Sequence, residues 1–228
     1  MPTLINRLSD RLRTEGLLRT SARALGHLVY LHNRWIDGGF DRRFGTDTSG
    51  IIPPGELGLE GEHAYAANRY EPVQIPVFRR IMRDLPLCHE DYAFVDLGSG
   101  KGRAVLMASQ HRFRRVIGVE LSPMLHAAAA GNLAIFRRRH PEAARIELVR
   151  GDALRYPIPE GPVVCFLYNS FGRPLVAKLI ENLDIARRGR SRNIFVVYRN
   201  PECADLFDGA PFMHSVAQHC AYRIYRTR

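Results

Sequence analysis

Three acidic residues and a run of glycines set the chemical question. Gly98, Gly100 and Gly102 alternate in "FVDLGSGKGRAVL", with Asp96 just before them. Glu120 closes the next apolar run, "VIGVE", and Asp152 stands in "LVRGDAL". Glycines let a turn adopt backbone angles closed to other residues and come close to a ligand. A carboxylate can accept hydrogen bonds from two neighbouring donors, so Glu120 suits the paired hydroxyls of a ribose. The pattern therefore points to a nucleoside-like ligand lying across strand ends. Two phosphate-binding alternatives fail. A P-loop requires G-x-x-x-x-G-K-[ST], but here Lys101 precedes Gly102 and no Ser or Thr follows it. The dinucleotide fingerprint G-x-G-x-x-G accommodates Gly98 and Gly100 but meets Arg103 at its third glycine.

The surrounding elements must bring these residues together. "YAFVDL" reads as a buried strand and "GRAVLMASQH" as a helix; "RRVIGVEL" is the next strand. Ser122 has the character of an N-cap, with Pro123 at the first position of a long helix. "RIELVRGD", "VVCFLYNS" and "RNIFVVYRN" read as further strands, with the helix "RPLVAKLIENLDIARR" between the last two. "FMHSVAQHC" and "YRIYRT" read as a closing antiparallel pair. Alternation of strand and helix implies a parallel sheet covered on both faces. The expected fold is α/β: a Rossmann-like seven-stranded sheet, mostly parallel, with an antiparallel closing hairpin and an N-terminal helical cap. Residues 4 to 35 show helical apolar spacing broken near Gly16, and their arginines leave a basic face. Residues 37–62 are rich in Gly and Pro and read as an ordered loop or lid. Residues 72–85 resume a helical pattern with a breaker at Pro76. The expected division is 1–70 for the helices and lid loop and 71–228 for the catalytic domain.

Composition narrows the classes. A chain of 228 residues with 46% hydrophobic residues can bury a proper core. No apolar run is long enough for a transmembrane helix, and the N-terminus lacks an apolar signal core, which implies a cytoplasmic protein. Cys88, Cys165, Cys203 and Cys220 are widely spaced and form no C-x-x-C pair, so neither a zinc site nor a disulfide framework is expected. The net charge of +10 favours an acidic partner. Nucleic acid stays open as a partner, without a motif to support it.

The G-x-G-x-G turn preceded by Asp96 resembles the first motif of class I S-adenosylmethionine-dependent methyltransferases. The similarity spans roughly residues 70 to 200. It is closest to the nucleosome lysine methyltransferases that lack the SET fold and to their small bacterial relatives. "FVDLGSGKGRAVL" looks like their "DLGSG" segment, "VIGVELSP" their ribose-binding segment and "VRGDAL" their adenine-binding segment; "LYNSFG" takes the place of their N-x-F motif. The resemblance implies S-adenosylmethionine as cofactor. It implies cofactor contacts at Asp96, Gly98, Ser99, Gly100, Gly102, Glu120, Leu121, Asp152, Ala153 and Asn169, with Tyr70 and Glu71 at the methionine end.

Methyl transfer is an in-line displacement, so catalysis rests mainly on positioning and exclusion of water. Asn169 is the candidate for orienting an acceptor amine, Phe171 for an apolar wall beside the methyl group, and Tyr168 for lining the acceptor pocket. Asn169 also suits a plain turn after a strand. An alternative for Glu71 is a helix N-terminal turn beginning at Pro72. Tyr65 and His63 are secondary candidates. Glu120 is expected at a solvent-accessible strand end. The favoured reaction is N-methylation of a protein or small-molecule amine, the methyl acceptor being unidentified. A small-molecule O-methyltransferase and a catalytically silent cofactor-binding protein are the alternatives.

Overall fold

The structure, a computed structural model, describes residues 39–59, 68–169, 171–189 and 193–228. The expected helices of residues 4 to 35, and Tyr65 and His63, lie outside them. The chain divides into two compact units, Met1–Phe40 and Asp41–Arg228, and the sheet lies wholly within the second.

Seven strands form that sheet: β1 (Ala93–Leu97), β2 (Arg115–Glu120), β3 (Ile146–Arg150), β4 (Val163–Tyr168), β5 (Ile194–Arg199), β6 (Met213–His219) and β7 (Tyr222–Thr227). Their order is β3-β2-β1-β4-β5-β7-β6. The first five strands run parallel, and β7 joins β5 antiparallel and pairs with β6 as a hairpin. This is the expected α/β arrangement. The central strands are apolar almost throughout because helices cover both faces: every residue of β1 is buried. Strand order reverses between β1 and β4, and in open α/β sheets that reversal opens a crevice at the carboxyl ends of the strands.

Among the described residues, the sheet is accompanied by the α-helices α1 (Ile75–Asp84), α2 (Arg103–Ser109), α3 (Pro123–Arg137), α4 (Arg173–Arg188) and α5 (Ala204–Asp208). Ser122 caps α3 by accepting from the Leu125 amide at 3.2 Å, and Pro123 sits in its first turn. Pro76 does not break α1. It occupies the first turn, where a proline costs no intrahelical hydrogen bond, and the helix runs on from Ile75. Glu71 and Pro72 precede that helix outside any helical turn, so the expectation of a helical turn starting at Pro72 is corrected. Helix α5 had no forecast in the sequence pattern; it is a short helix seated by buried Phe207.

Helix α1 anchors the segment that enters the crevice. Phe78 is fully buried, with its ring against Phe94 of β1 (6.1 Å) and Phe166 of β4 (5.8 Å), both edge-on. Replacing such a residue by alanine costs about 3–5 kcal/mol. The segment 70–74 is therefore fixed at its C-terminal end by a core contact with the two strands that flank the switch point.

Candidate functional site

The glycine turn links β1 to α2. Gly98, Gly100 and Gly102 have φ of +89°, +55° and +87°, so the backbone itself demands glycine. The space above Gly100 is taken by a side chain of the protein itself. A Cβ built there would lie 2.3 Å from Cε2 of Tyr70. The bare backbone at Gly100 thus admits the Tyr70 ring, which packs on the turn. Gly102 serves as the left-handed N-cap of α2 and packs against Ala129 of α3.

A cavity opens over the carboxyl ends of β1, β2 and β4. Asp96, Glu120 and Asp152 all line it, with Gly98, Ser99 and Gly100 between them. Leu121 and Ala153 line it from the β2 and β3 ends, and Tyr70 and Glu71 from the α1 side. Tyr168, Asn169 and Phe171 form the wall beyond β4. Of the described residues anticipated for the site, Gly102 alone stays outside the lining. The cavity also takes in residues not anticipated for the site, among them Arg69 and Arg103.

The acids occupy unlike environments. Asp96 is 3% exposed, and burial, with the neighbouring Glu120 charge, holds its carboxyl well above the usual range. Glu120 is buried too, at 7%, which corrects the expectation of a solvent-accessible strand end. One oxygen accepts from the Gly100 amide at 2.7 Å and the other from the Ser122 amide at 2.8 Å. Burial raises its pKa and the amides oppose that shift. Each oxygen retains a lone-pair direction for a ribose hydroxyl. Asp152 sits just past β3, and its side chain accepts from the Leu154 amide at 2.9 Å, shaping the turn along that wall.

At the far end, Asn169 adopts a left-handed φ of +52° immediately after β4. Tyr168 has its hydroxyl pKa pushed up to about 12, first by burial and then by the Glu71 charge. The Arg199 guanidinium lies 5.0 Å from the Tyr168 ring centroid and donates to Gln74 at 2.8 Å. Arg69 pairs with Glu71 at 3.0 Å.

The cavity is acidic. Glu71, Asp96, Glu120 and Asp152 line it against Arg69 and Arg103, and those arginines are paired with Glu71 and Asp41. A pyrophosphate would meet carboxylates here, whereas a ligand carrying positive charge and a ribose diol meets complementary groups. Ser99 adds a buried hydroxyl oxygen with no hydrogen-bond partner among the described residues.

No protein-family model matches the chain, and no curated protein matches it by sequence. Solved structures do. A putative methyltransferase, yhhF, from Escherichia coli is 17% identical, with a TM-score of 0.51 over 70% of this chain and 89% of that one. A precorrin-6y C5,15-methyltransferase from Geobacter metallireducens is 14% identical, with a TM-score of 0.50 over 69% and 89% of the two chains. A SAM-dependent O-methyltransferase from Thermotoga maritima is 14% identical, with a TM-score of 0.51 over 70% and 67%. The chain shares the fold of these methyltransferases.

Proposed function

We propose that this protein is an S-adenosylmethionine-dependent methyltransferase acting on an amine nitrogen. One observation carries the reading: Asp96, Glu120 and Asp152 converge from three adjacent strands on a single acidic cavity, which continues to Asn169 and Phe171. Among adenosyl cofactors, a sulfonium fits that charge and a dinucleotide does not. Glu120 would hold the ribose hydroxyls, Asp152 and the Ala153 backbone the adenine side, and Asp96, Ser99 and the glycine turn the amino-acid end, with Glu71 near its ammonium. Bound there, the cofactor supplies an electrophilic methyl group. The protein contributes position and dryness: Tyr70 and Phe171 keep water from the cavity, and Asn169 offers an amide oxygen to orient an acceptor N–H. A neutral amine needs no strong base, and Glu71 with Tyr168 makes a polar, anionic approach suited to a cationic acceptor shedding its proton at the mouth.

The test starts with binding. S-adenosylmethionine and S-adenosylhomocysteine should raise the melting temperature, and NAD should not. At about 100 times the dissociation constant a ligand contributes roughly 2.7 kcal/mol, which for a domain of this size is about 5–10 °C. Equal stabilisation by NAD, or none by either sulfur cofactor, removes the reading. A labelled-methyl screen over amines, hydroxyl compounds and proteins then separates nitrogen from oxygen transfer; transfer only to hydroxyls refutes the amine assignment.

A further inference from the structure

Arg103 is one of the largest fully buried side chains among the described residues, and it lies in the first turn of α2 directly after the glycine turn. Its guanidinium faces the segment 41–49. Nε donates to Thr48 Oγ1 at 2.7 Å, and Nη2 donates to Ser49 Oγ at 2.8 Å and to Asp41 Oδ2 at 3.3 Å. Asp41 gathers the same segment from the other side. It accepts from the Thr46 hydroxyl at 2.7 Å, the Thr48 hydroxyl at 2.7 Å, the Thr48 amide at 2.9 Å and the Ser49 hydroxyl at 2.5 Å. Burial alone would raise the Asp41 pKa, but those donors hold it below the usual carboxylate value.

The strap so formed is tied to the glycine turn at two more points. Asn132 of α3 accepts from the Asp47 amide at 2.7 Å and donates to the carbonyls of Asp47 and Lys101, both at 3.0 Å. Lys101 reaches the Asp47 carboxylate at 3.2 Å and the Ser49 carbonyl at 3.1 Å. The strap in turn holds Tyr70, whose hydroxyl donates to the Thr48 carbonyl at 2.6 Å. Its backbone exchanges two hydrogen bonds with Ile52, at 3.1 and 2.9 Å.

We infer that Asp41 and Arg103 form an internal clamp that sets the affinity of the cavity for its cofactor, by holding the 41–49 strap so that Tyr70 closes on the glycine turn. Asp41 is outside the cavity lining, whereas Tyr70 and Gly100 are within it. Asp41 therefore acts as a positioning residue, through Thr48 and Tyr70. Arg103, standing where a dinucleotide fingerprint has its third glycine, turns a phosphate-type loop into the anchor of a lid. The inference rests on the methyltransferase reading for the identity of the ligand.

The experiment is calorimetric titration of the full chain with S-adenosylhomocysteine, paired with amide hydrogen exchange over residues 46–52 and at Tyr70. Asp41→Asn keeps the shape and removes the charge. It should weaken binding at least tenfold and speed exchange across the strap, while Asp41→Glu restores much of the affinity. Binding within twofold of wild type in Asp41→Asn, with faster strap exchange, would make the clamp structural only and overturn the inference while leaving the cofactor reading intact. A wild-type protein that binds no S-adenosylhomocysteine overturns the cofactor reading and the inference with it. If Asp41→Asn does not fold, Thr48→Val removes one hydroxyl between the two charges. A threefold or greater loss supports the clamp, and unchanged affinity refutes it.

Discussion

Asp96 is an unfavourable residue for a ligand-free protein. Its carboxyl is buried within β1, and burial together with the Glu120 charge makes ionisation costly. Asp96→Asn keeps size and shape and removes the charge. At pH 7.5 it should raise the melting temperature of the ligand-free protein by a few degrees, since about 1 kcal/mol shifts a domain of this size by roughly 2–4 °C. The same change should weaken S-adenosylmethionine binding, because the cavity loses a charge complementary to a cation. A lower melting temperature would mean that folded-state donors hold the carboxylate, and would remove the argument that it is retained for a ligand. Residue type and order were enough to single out Asp96, Glu120 and Asp152 in the sequence. The burial of Glu120 was not legible there, because it depends on the Gly100 and Ser122 amides turning toward one carboxylate, which only the three-dimensional turn arranges.

The turn after β4 shows how one element can carry two roles. Asn169 lies in the left-handed region, where an alanine costs on the order of 1–2 kcal/mol and a glycine costs nothing sterically. Asn169→Ala therefore confounds a lost amide with a strained turn, and Asn169→Gly separates them. If the side chain orients the acceptor, both variants should lose about 10- to 1000-fold in turnover with near-normal cofactor affinity, and only the alanine variant should melt early. Full turnover in Asn169→Gly would leave Asn169 as a turn former. The strands and most helices were readable from apolar runs and caps; α3 begins at the Ser122–Pro123 pair that predicts it. The lid was readable only as a segment rich in Gly and Pro. Its anchor at Arg103 was read solely as a missing glycine, because the Asp41–Arg103 pairing joins residues 62 positions apart and leaves no periodic trace.

Charge is segregated across the molecule. The chain carries a formal net charge of +10, yet among the charged residues lining its cavity the carboxylates Glu71, Asp96, Glu120 and Asp152 outnumber the arginines Arg69 and Arg103. Among the described residues, no helix is long and apolar enough to cross a membrane. Two groups of ionisable side chains, one buried and one half-buried, then set opposing pH dependences. Asp96 and Glu120 have folded-state pKa values raised above the ordinary 3.8 and 4.5, so their contribution is fully present below those values and is lost as pH rises through the folded values. At the opposite end of β1, His89 and His111 pack edge to face at 5.5 Å, with Phe113 4.7 Å from His89. Burial lowers both below the ordinary 6.5, and the charges of His89 and Arg79 add to the effect on His111. An unfolded chain takes up those protons first, so the histidine contribution is present above pH 6.5 and is lost as pH falls from there through the folded values. The two groups can be separated by substitution. His111→Phe should flatten the loss of melting temperature between about pH 7 and pH 5.5 without altering S-adenosylhomocysteine binding at about pH 7.5. Asp96→Asn should steepen that acid loss, since it removes a carboxyl whose raised pKa favours the folded state as pH falls. Melting curves of wild type and both variants across that range are the measurement. An identical acid slope in His111→Phe would show that the histidine pair does not govern acid stability, and an unchanged slope in Asp96→Asn would show that Asp96 binds the same number of protons folded and unfolded across that range.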